Sequence, residues 1–123
     1  MSVDTVHGVG KVRSGPKELN NGSLPALASY LDEHCLIIRK DSGLRFDENL
    51  TGWHMYGADI CLQAYDKGLR CYAIDNRVHH LSDNLGLDPK LDEAVKWFKD
   101  KWMNRSQFPK YRTTCRAGII LCS

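Results

Sequence analysis

Asp59 is the residue whose type and position suggest chemistry most directly. It lies at the start of a predicted helix, within the stretch GWHMYGADICLQAYDKGLRCYAIDNRVHHLS, residues 52–82. The free backbone amides and the positive end of the helix dipole favour an acid there and keep it ionised. Such a carboxylate can take a proton from a hydroxyl group or orient that hydroxyl. Acids at helix starts are also common for purely structural reasons, so both interpretations stay open.

The same stretch contains a histidine pair and a group of aromatic and polar side chains. His79 and His80 follow a predicted strand, in which adjacent side chains face opposite ways, so we expect at most one to point into a shared site. Imidazole is a frequent metal ligand, but histidine pairs also serve as polar surface or capping residues. Trp53, His54 and Tyr56 combine aromatic faces with polar tips and could line a binding pocket, or they could belong to the core.

A helix, a strand and a second helix must position these residues. Apolar residues at helical spacing, such as Ile60 and Ala64, predict a helix over residues 57–67. Gly68 stands where a left-handed residue ends a helix. RCYAID, residues 70–75, predicts a short strand buried on both faces. Asp88 and Pro89 predict the start of a second helix. Its apolar stripe consists of Leu91, Ala94, Val95, Phe98 and Trp102.

The remaining segments give weaker patterns. The part through about Pro25 is rich in Gly, Asn, Ser and Pro, which predicts mostly loop. CLIIRK, residues 35–40, predicts a buried strand that ends in a turn at residues 41–43. The apolar run AGIILC near the end of the chain could add another strand. Alternating strands and helices predict an α/β class, and 123 residues fit a single domain over residues 1–123.

Composition excludes several classes of protein. With 17 basic and 15 acidic residues, the chain has no strong field for binding nucleic acid. No apolar run approaches the roughly 20 residues of a membrane span. The stretch MSVDTVHGVG has neither the basic region nor the apolar region of a secretory signal, so we expect a cytoplasmic location. The five cysteines include no CxxC pair, which favours reduced, buried structural thiols over a disulfide framework or a zinc site.

Residues 29–82 resemble the second half of a nucleotide-sugar glycosyltransferase domain of the GT-A fold, in the manner of family 2 glycosyltransferases. The resemblance rests on a Phe-Asp-Glu turn, an aromatic residue followed by His, a Tyr, a helix acid, a glycine that ends the helix and a terminal His. These are Phe46, Asp47, Glu48, Trp53, His54, Tyr56, Asp59, Gly68 and His79 or His80. The resemblance implies a partial GT-A sheet flanked by helices.

The resemblance also implies an activity, the transfer of a sugar from a nucleotide-sugar donor to an acceptor. Asp59 would act at the acceptor hydroxyl, and Trp53, His54 and Tyr56 would surround the acceptor sugar. In polypeptide N-acetylgalactosaminyltransferases, a divalent metal bridges the donor diphosphate and has a histidine as its distal ligand. The resemblance implies that His79 or His80 would be this ligand, and that the metal would be Mn²⁺ or Mg²⁺.

The sequence departs from the family pattern in three ways. Tyr56 and Gly57 stand where many members carry a Glu-Asp or Tyr-Asp pair, and Gln63 stands at or near a position where a basic residue is frequent. No convincing Asp-x-Asp precedes the matched segment, so we expect this chain to lack the nucleotide-binding half. The alternative is a non-catalytic binding or interaction domain derived from a truncated GT-A fold. Its open sheet edges would then favour self-association or a partner chain.

Overall fold

The described part of the chain combines two helices with short strands. A computed structural model describes residues 10–14, 17–75, 79–80, 88–103, 105, 110–111 and 119–120. Helix α1 spans Tyr56–Asp66 and helix α2 spans Lys90–Trp102, and a 3-10 turn covers Lys40–Ser42. The strands are β1 (Gly10–Ser14), β2 (Lys17–Asn21), β3 (Ala26–Ala28), β4 (Cys71–Ala73), β5 (His79–His80), β6 (Lys110–Tyr111) and β7 (Ile119–Ile120). The predicted α/β class is confirmed.

The described strands form three small sheets. In the first, β1 pairs antiparallel with β2 and parallel with β5. In the second, β3 and β4 form an antiparallel ribbon, and in the third β6 pairs antiparallel with β7. The prediction of mostly loop through Pro25 was wrong for residues 10–14 and 17–21, which form the antiparallel strands β1 and β2. Each of these strands has one large apolar residue, Val12 in β1 and Leu19 in β2, so the sequence has no hydrophobic alternation to reveal the pairing.

Helix α1 is the centre of the core because it is buried on two sides. One face, with Met55, Ala58 and Leu62, packs against the face of α2 that carries Ala94, Phe98 and Trp102. The opposite face packs against the segment before the helix and against the start of β4. That second cluster consists of Leu44, Ile60, Cys61 and Ala64, with Leu31, Leu36, Ile38, Leu69 and Cys71 around it. A helix that is apolar on nearly all sides must be buried in this way.

The start of α1 depends on a residue far away in the sequence. The Glu33 carboxylate accepts a hydrogen bond from the Gly57 backbone amide at 3.1 Å. The Tyr56 hydroxyl donates to the Glu33 carbonyl at 3.0 Å, and the Tyr30 hydroxyl donates to the Glu33 carboxylate at 3.2 Å. Burial raises the pKa of Glu33 above its ordinary value, although the bond from Gly57 opposes that change. Glu33 therefore caps the helix in place of a residue next to it.

Two strand predictions need correction. Residues 35–39 form no strand, although the turn that follows them is confirmed, with Gly43 at φ 68°. Leu36 and Ile38 pack toward α1, whereas Ile37 is 74% exposed, so packing on the helix accounts for this apolar run. The strand at residues 70–75 is confirmed in the shorter form β4. It is not buried on both faces, because Tyr72 is 47% exposed.

The two predicted helices are confirmed, with small shifts of their ends. Gly68 follows α1 with φ 72°, the left-handed conformation expected there. Asp88 caps α2, since its carboxylate accepts the Lys90 amide at 2.9 Å. Ala94, Val95, Phe98 and Trp102 of the predicted stripe pack in the cluster with α1, and Leu91 is buried. In the described part of the chain, neither helix has the length and apolar character that crossing a membrane requires.

We expect Gly57→Ala to destabilise the fold more than Gly68→Ala. A Cβ atom at position 57 would lie 2.3 Å from the Leu31 carbonyl oxygen, so the backbone must move, at a cost of about 2 kcal/mol. A Cβ atom at position 68 meets no atom within 4 Å, and only its positive φ costs free energy, about 1 kcal/mol. Urea unfolding of both variants measures the difference. Equal costs would contradict the close approach of the Leu31 carbonyl to α1.

Candidate functional site

Asp59 lies in the interface between the two helices and is 1% exposed. One carboxylate oxygen accepts the Trp102 indole N–H at 2.8 Å. The other accepts the Gln63 side-chain amide at 2.8 Å. The Lys101 ammonium lies 2.8 Å from the first oxygen and 3.0 Å from the second. Donors from α1 and α2 thus occupy both oxygens, as a buried carboxylate requires.

Lys101 extends this network to the Phe-Asp-Glu turn. Its ammonium donates to Asp47 at 2.7 Å and lies 4.8 Å from the centre of the Trp97 ring. The hydrogen bond from Lys101 is the main reason that the pKa of Asp47 falls to about 2. Asp47 also accepts the backbone amide of Asn49 at 2.9 Å, which forms the turn. The turn that the sequence suggested is therefore joined to α2 by an ion pair, while Glu48 is exposed.

This geometry limits what Asp59 can do. A general base must lie within hydrogen-bond reach of the proton that it removes. For Asp59 to act so, a substrate hydroxyl would have to replace Lys101, Gln63 or Trp102 at its oxygens. In the arrangement observed, Asp59 orients protein groups, and its catalytic role stays a prediction.

The loop before α1 presents a more open surface. Trp53 is 79% exposed, so the interpretation of Trp53 as a core residue was wrong. His54 is half-buried, and its Nε2 atom lies 3.1 Å from an oxygen of Asp88, the cap of α2. Gly52 and Met55 both have positive φ, 96° and 69°. A non-glycine residue with positive φ is uncommon, and such strain often occurs at ligand-binding loops.

Tyr56 faces a different direction from Trp53. Its hydroxyl donates to the Glu33 carbonyl, and its ring meets the half-exposed Phe46 edge-on, with centroids 5.7 Å apart. Burial raises the pKa of Tyr56 above its ordinary value. The structure therefore places Trp53 and His54 in one open loop, and it places Tyr56 at the contact between α1 and the segment before it.

The histidine pair lies on β5, where His79 is opposite Arg13 and His80 is opposite Ser14 in the parallel pairing with β1. His79 is exposed, and the side chain of His80 is outside the described residues. No group of three or more His, Cys, Asp or Glu side chains that could hold a metal occurs within the described part of the chain. The described donors alone thus do not fit a metal site, and the metal stays a prediction.

Sequence reasoning missed the residues that surround Asp59. Lys101 and Trp102 lie at the end of the second predicted helix, and Trp102 was assigned only to its apolar stripe. The spacing of Asp59 and Gln63 places them on one helix face, which was the available local signal. Nothing local links Asp59 to Lys101 and Trp102, because more than 40 residues separate them.

Comparison with known proteins identifies a partial relative. No protein-family model matches the chain. It is 42% identical over 59 residues to the protein named "ATP synthase subunits region ORF 6" of Fuscovulum blasticum. The match covers 48% of this chain but 24% of that protein, so the chain matches about a quarter of the length of this curated relative. The name of that protein gives no activity, substrate or partner.

We expect Asp59→Asn to destabilise the protein by about 3 kcal/mol, the cost of removing one charge from a buried ion pair. The asparagine amide would face the donors of Lys101 or Gln63, and the half-buried Lys101 would keep only Asp47 as a carboxylate partner. Asp100→Asn is the matched control, because it removes an exposed pair with Lys96 and should change stability by less than about 0.5 kcal/mol. Urea unfolding at neutral pH compares them. Similar effects in both variants would contradict a buried network.

Proposed function

We propose that this chain carries the acceptor side of a glycosyltransferase-like domain of the GT-A fold. In this proposal the enzyme transfers a sugar from a nucleotide-sugar donor to an acceptor, with Mn²⁺ or Mg²⁺ assistance. The observation that carries the proposal is the 79% exposure of Trp53 beside His54, which is held by Asp88. A free indole face next to a polar side chain suits a sugar, which offers both C–H faces and hydroxyls.

The roles within the proposal follow from the contacts. Trp53 would pack against the sugar, and His54 would hydrogen-bond a hydroxyl through the nitrogen that does not face Asp88. Tyr56 would support the loop, since its hydroxyl already bonds the Glu33 carbonyl. Asp59 would act mainly as an orienting residue, because it connects the start of α1 to the end of α2. His79 and His80 stay the predicted metal ligands, and a cytoplasmic location is part of the proposal.

A second candidate function is a non-catalytic binding or interaction domain. The enclosure of Asp59 by protein donors favours it, since that carboxylate has no open face. The β3–β4 ribbon also favours it. Leu27 and Tyr72 lie opposite each other there, and each is 47% exposed. A ribbon that pairs with no third strand among the described residues and that exposes apolar side chains suits contact with a second copy or another chain.

A thermal-shift titration with nucleotide sugars and free sugars, with and without Mn²⁺, tests the proposal. A ligand that binds only the folded state raises the melting temperature. We expect a shift that is lost in Trp53→Ala. Because Trp53 is exposed, the free energy of unfolding of this variant should stay within about 0.5 kcal/mol of the parent value. Tyr72→Ala is the matched control, an exposed aromatic residue on the ribbon, and it should keep the shift.

The pattern of results separates the two candidates. A shift that needs Mn²⁺ and disappears in His79→Ala or His80→Ala would support metal-assisted donor binding. A shift with free sugars alone, lost in Trp53→Ala, would support a binding domain. No shift with any of these ligands, or a shift that Trp53→Ala leaves unchanged, would overturn the assignment of the loop.

A further inference from the structure

The thiols of Cys61 and Cys71 meet where α1 crosses the β3–β4 ribbon. Tyr65, one turn after Cys61, donates its hydroxyl to the backbone carbonyl of Ala28 in β3. Ala28 is the register partner of Cys71 in β4. Residues four apart on a helix share a face, so Cys61 lies on the face of α1 that meets the Ala28–Cys71 pair.

Side-chain contacts agree with this placement. Cys71 packs against the buried cluster that contains Cys61, so both thiols lie in the same apolar contact between α1 and β4. Neither cysteine is in a disulfide. The Leu69 amide donates to the Ala64 carbonyl at 2.8 Å, which fixes the short connection between the helix and β4. The two sulfur atoms are therefore held together by the fold.

The two cysteines are not equivalent. Cys61 is fully buried, whereas Cys71 is half-buried at the first position of β4. Hydrogen bonding from the Cys61 thiol stabilises the Cys71 thiolate. This interaction raises the pKa of Cys61 and lowers the pKa of Cys71. Cys71 is the more exposed of the two thiols, and reactive cysteines are partly exposed, so Cys71 is the member of the pair that reacts first.

We propose that Cys61 and Cys71 are a redox-active thiol pair that hydrogen peroxide converts to a reversible disulfide between α1 and β4. This inference does not depend on the proposed transferase activity. It also changes the sequence interpretation, in which the cysteines were reduced structural thiols.

The chemistry balances in two steps. The Cys71 thiolate attacks one peroxide oxygen, the O–O bond breaks, and the other oxygen leaves as water after taking a proton, which gives Cys71 sulfenic acid. The Cys61 sulfur then attacks the Cys71 sulfur, the S–O bond breaks, and a second water leaves with the Cys61 proton. Two thiols lose two electrons in total, and one peroxide is reduced to two waters. A dithiol reductant reduces the Cys61–Cys71 disulfide back to two thiols.

Peptide mapping of the folded chain tests the inference. The protein is treated with hydrogen peroxide, its remaining thiols are blocked with N-ethylmaleimide, and it is digested with trypsin without reduction. Cleavage after lysine and arginine places Cys61 in residues 46–67 and Cys71 in residues 71–77. We expect these two peptides to appear as one linked species, which dithiothreitol separates.

Three variants make the result decisive. Cys35→Ala removes an exposed cysteine and should leave the link intact. Cys61→Ala should lose the link and leave Cys71 sulfenic acid, which dimedone labels. Cys71→Ala should lose the link and leave Cys61 unlabelled by dimedone. Because Cys71 is only half-buried, this variant is expected to fold even if Cys61→Ala does not. The inference is overturned if the link forms only in urea, or if Cys71 joins Cys35, Cys115 or Cys122 instead.

Discussion

The contact of the Asp59 carboxylate with Lys101 and Trp102 is the constraint on which the rest of the described structure depends. A charge with 1% exposure is tolerated only when donors surround it, and here the donors come from both helices. Aligning Asp59 with the end of α2 brings Ala58 and Leu62 against Phe98, which forms the apolar contact between the helices. The ion pair fixes the register of this contact, and the apolar side chains supply most of the burial.

The same constraint positions the surfaces around α1. Lys101 also binds Asp47, so the turn before the loop is held to α2, and Asp88 holds His54 at the other end of α2. Between these contacts the loop leaves Trp53 in solvent. On the opposite side of α1, Cys61 and Tyr65 meet the β3–β4 ribbon. One buried helix therefore supports an exposed aromatic residue on one side and a thiol pair on another.

The parts of the fold that could be predicted from sequence depend on local patterns. The stripe of α2, the cap by Asp88 and the glycine after α1 each arise from residues within a few positions of one another. The parts that could not be predicted depend on distant partners. Gly57 touches the Leu31 carbonyl, Glu33 caps α1, and residues 35–39 use packing on a helix in place of strand pairing. An apolar run specifies burial without specifying what covers it.

The candidate site shows the same division. Asp59 was recognised from its place at a helix start, but its enclosure depends on Lys101 and Trp102 from the second helix. Trp53 could not be assigned to core or surface from its type alone, since tryptophan occurs in both. The thiol pair was missed because Cys61 and Cys71 are ten positions apart in different elements, and only the crossing of α1 over the ribbon brings them together.

An NMR titration of the three tryptophan indole N–H signals with nucleotide sugars tests the central claim most directly. The claim is that α1 holds a sealed charge network at Asp59 and an open ligand surface at Trp53. The account predicts that the Trp53 signal shifts on titration, while the Trp102 signal stays in place and exchanges slowly with solvent. A shift of the Trp102 signal with an unchanged Trp53 signal would contradict it, and would mean that ligand reaches the Asp59 carboxylate itself.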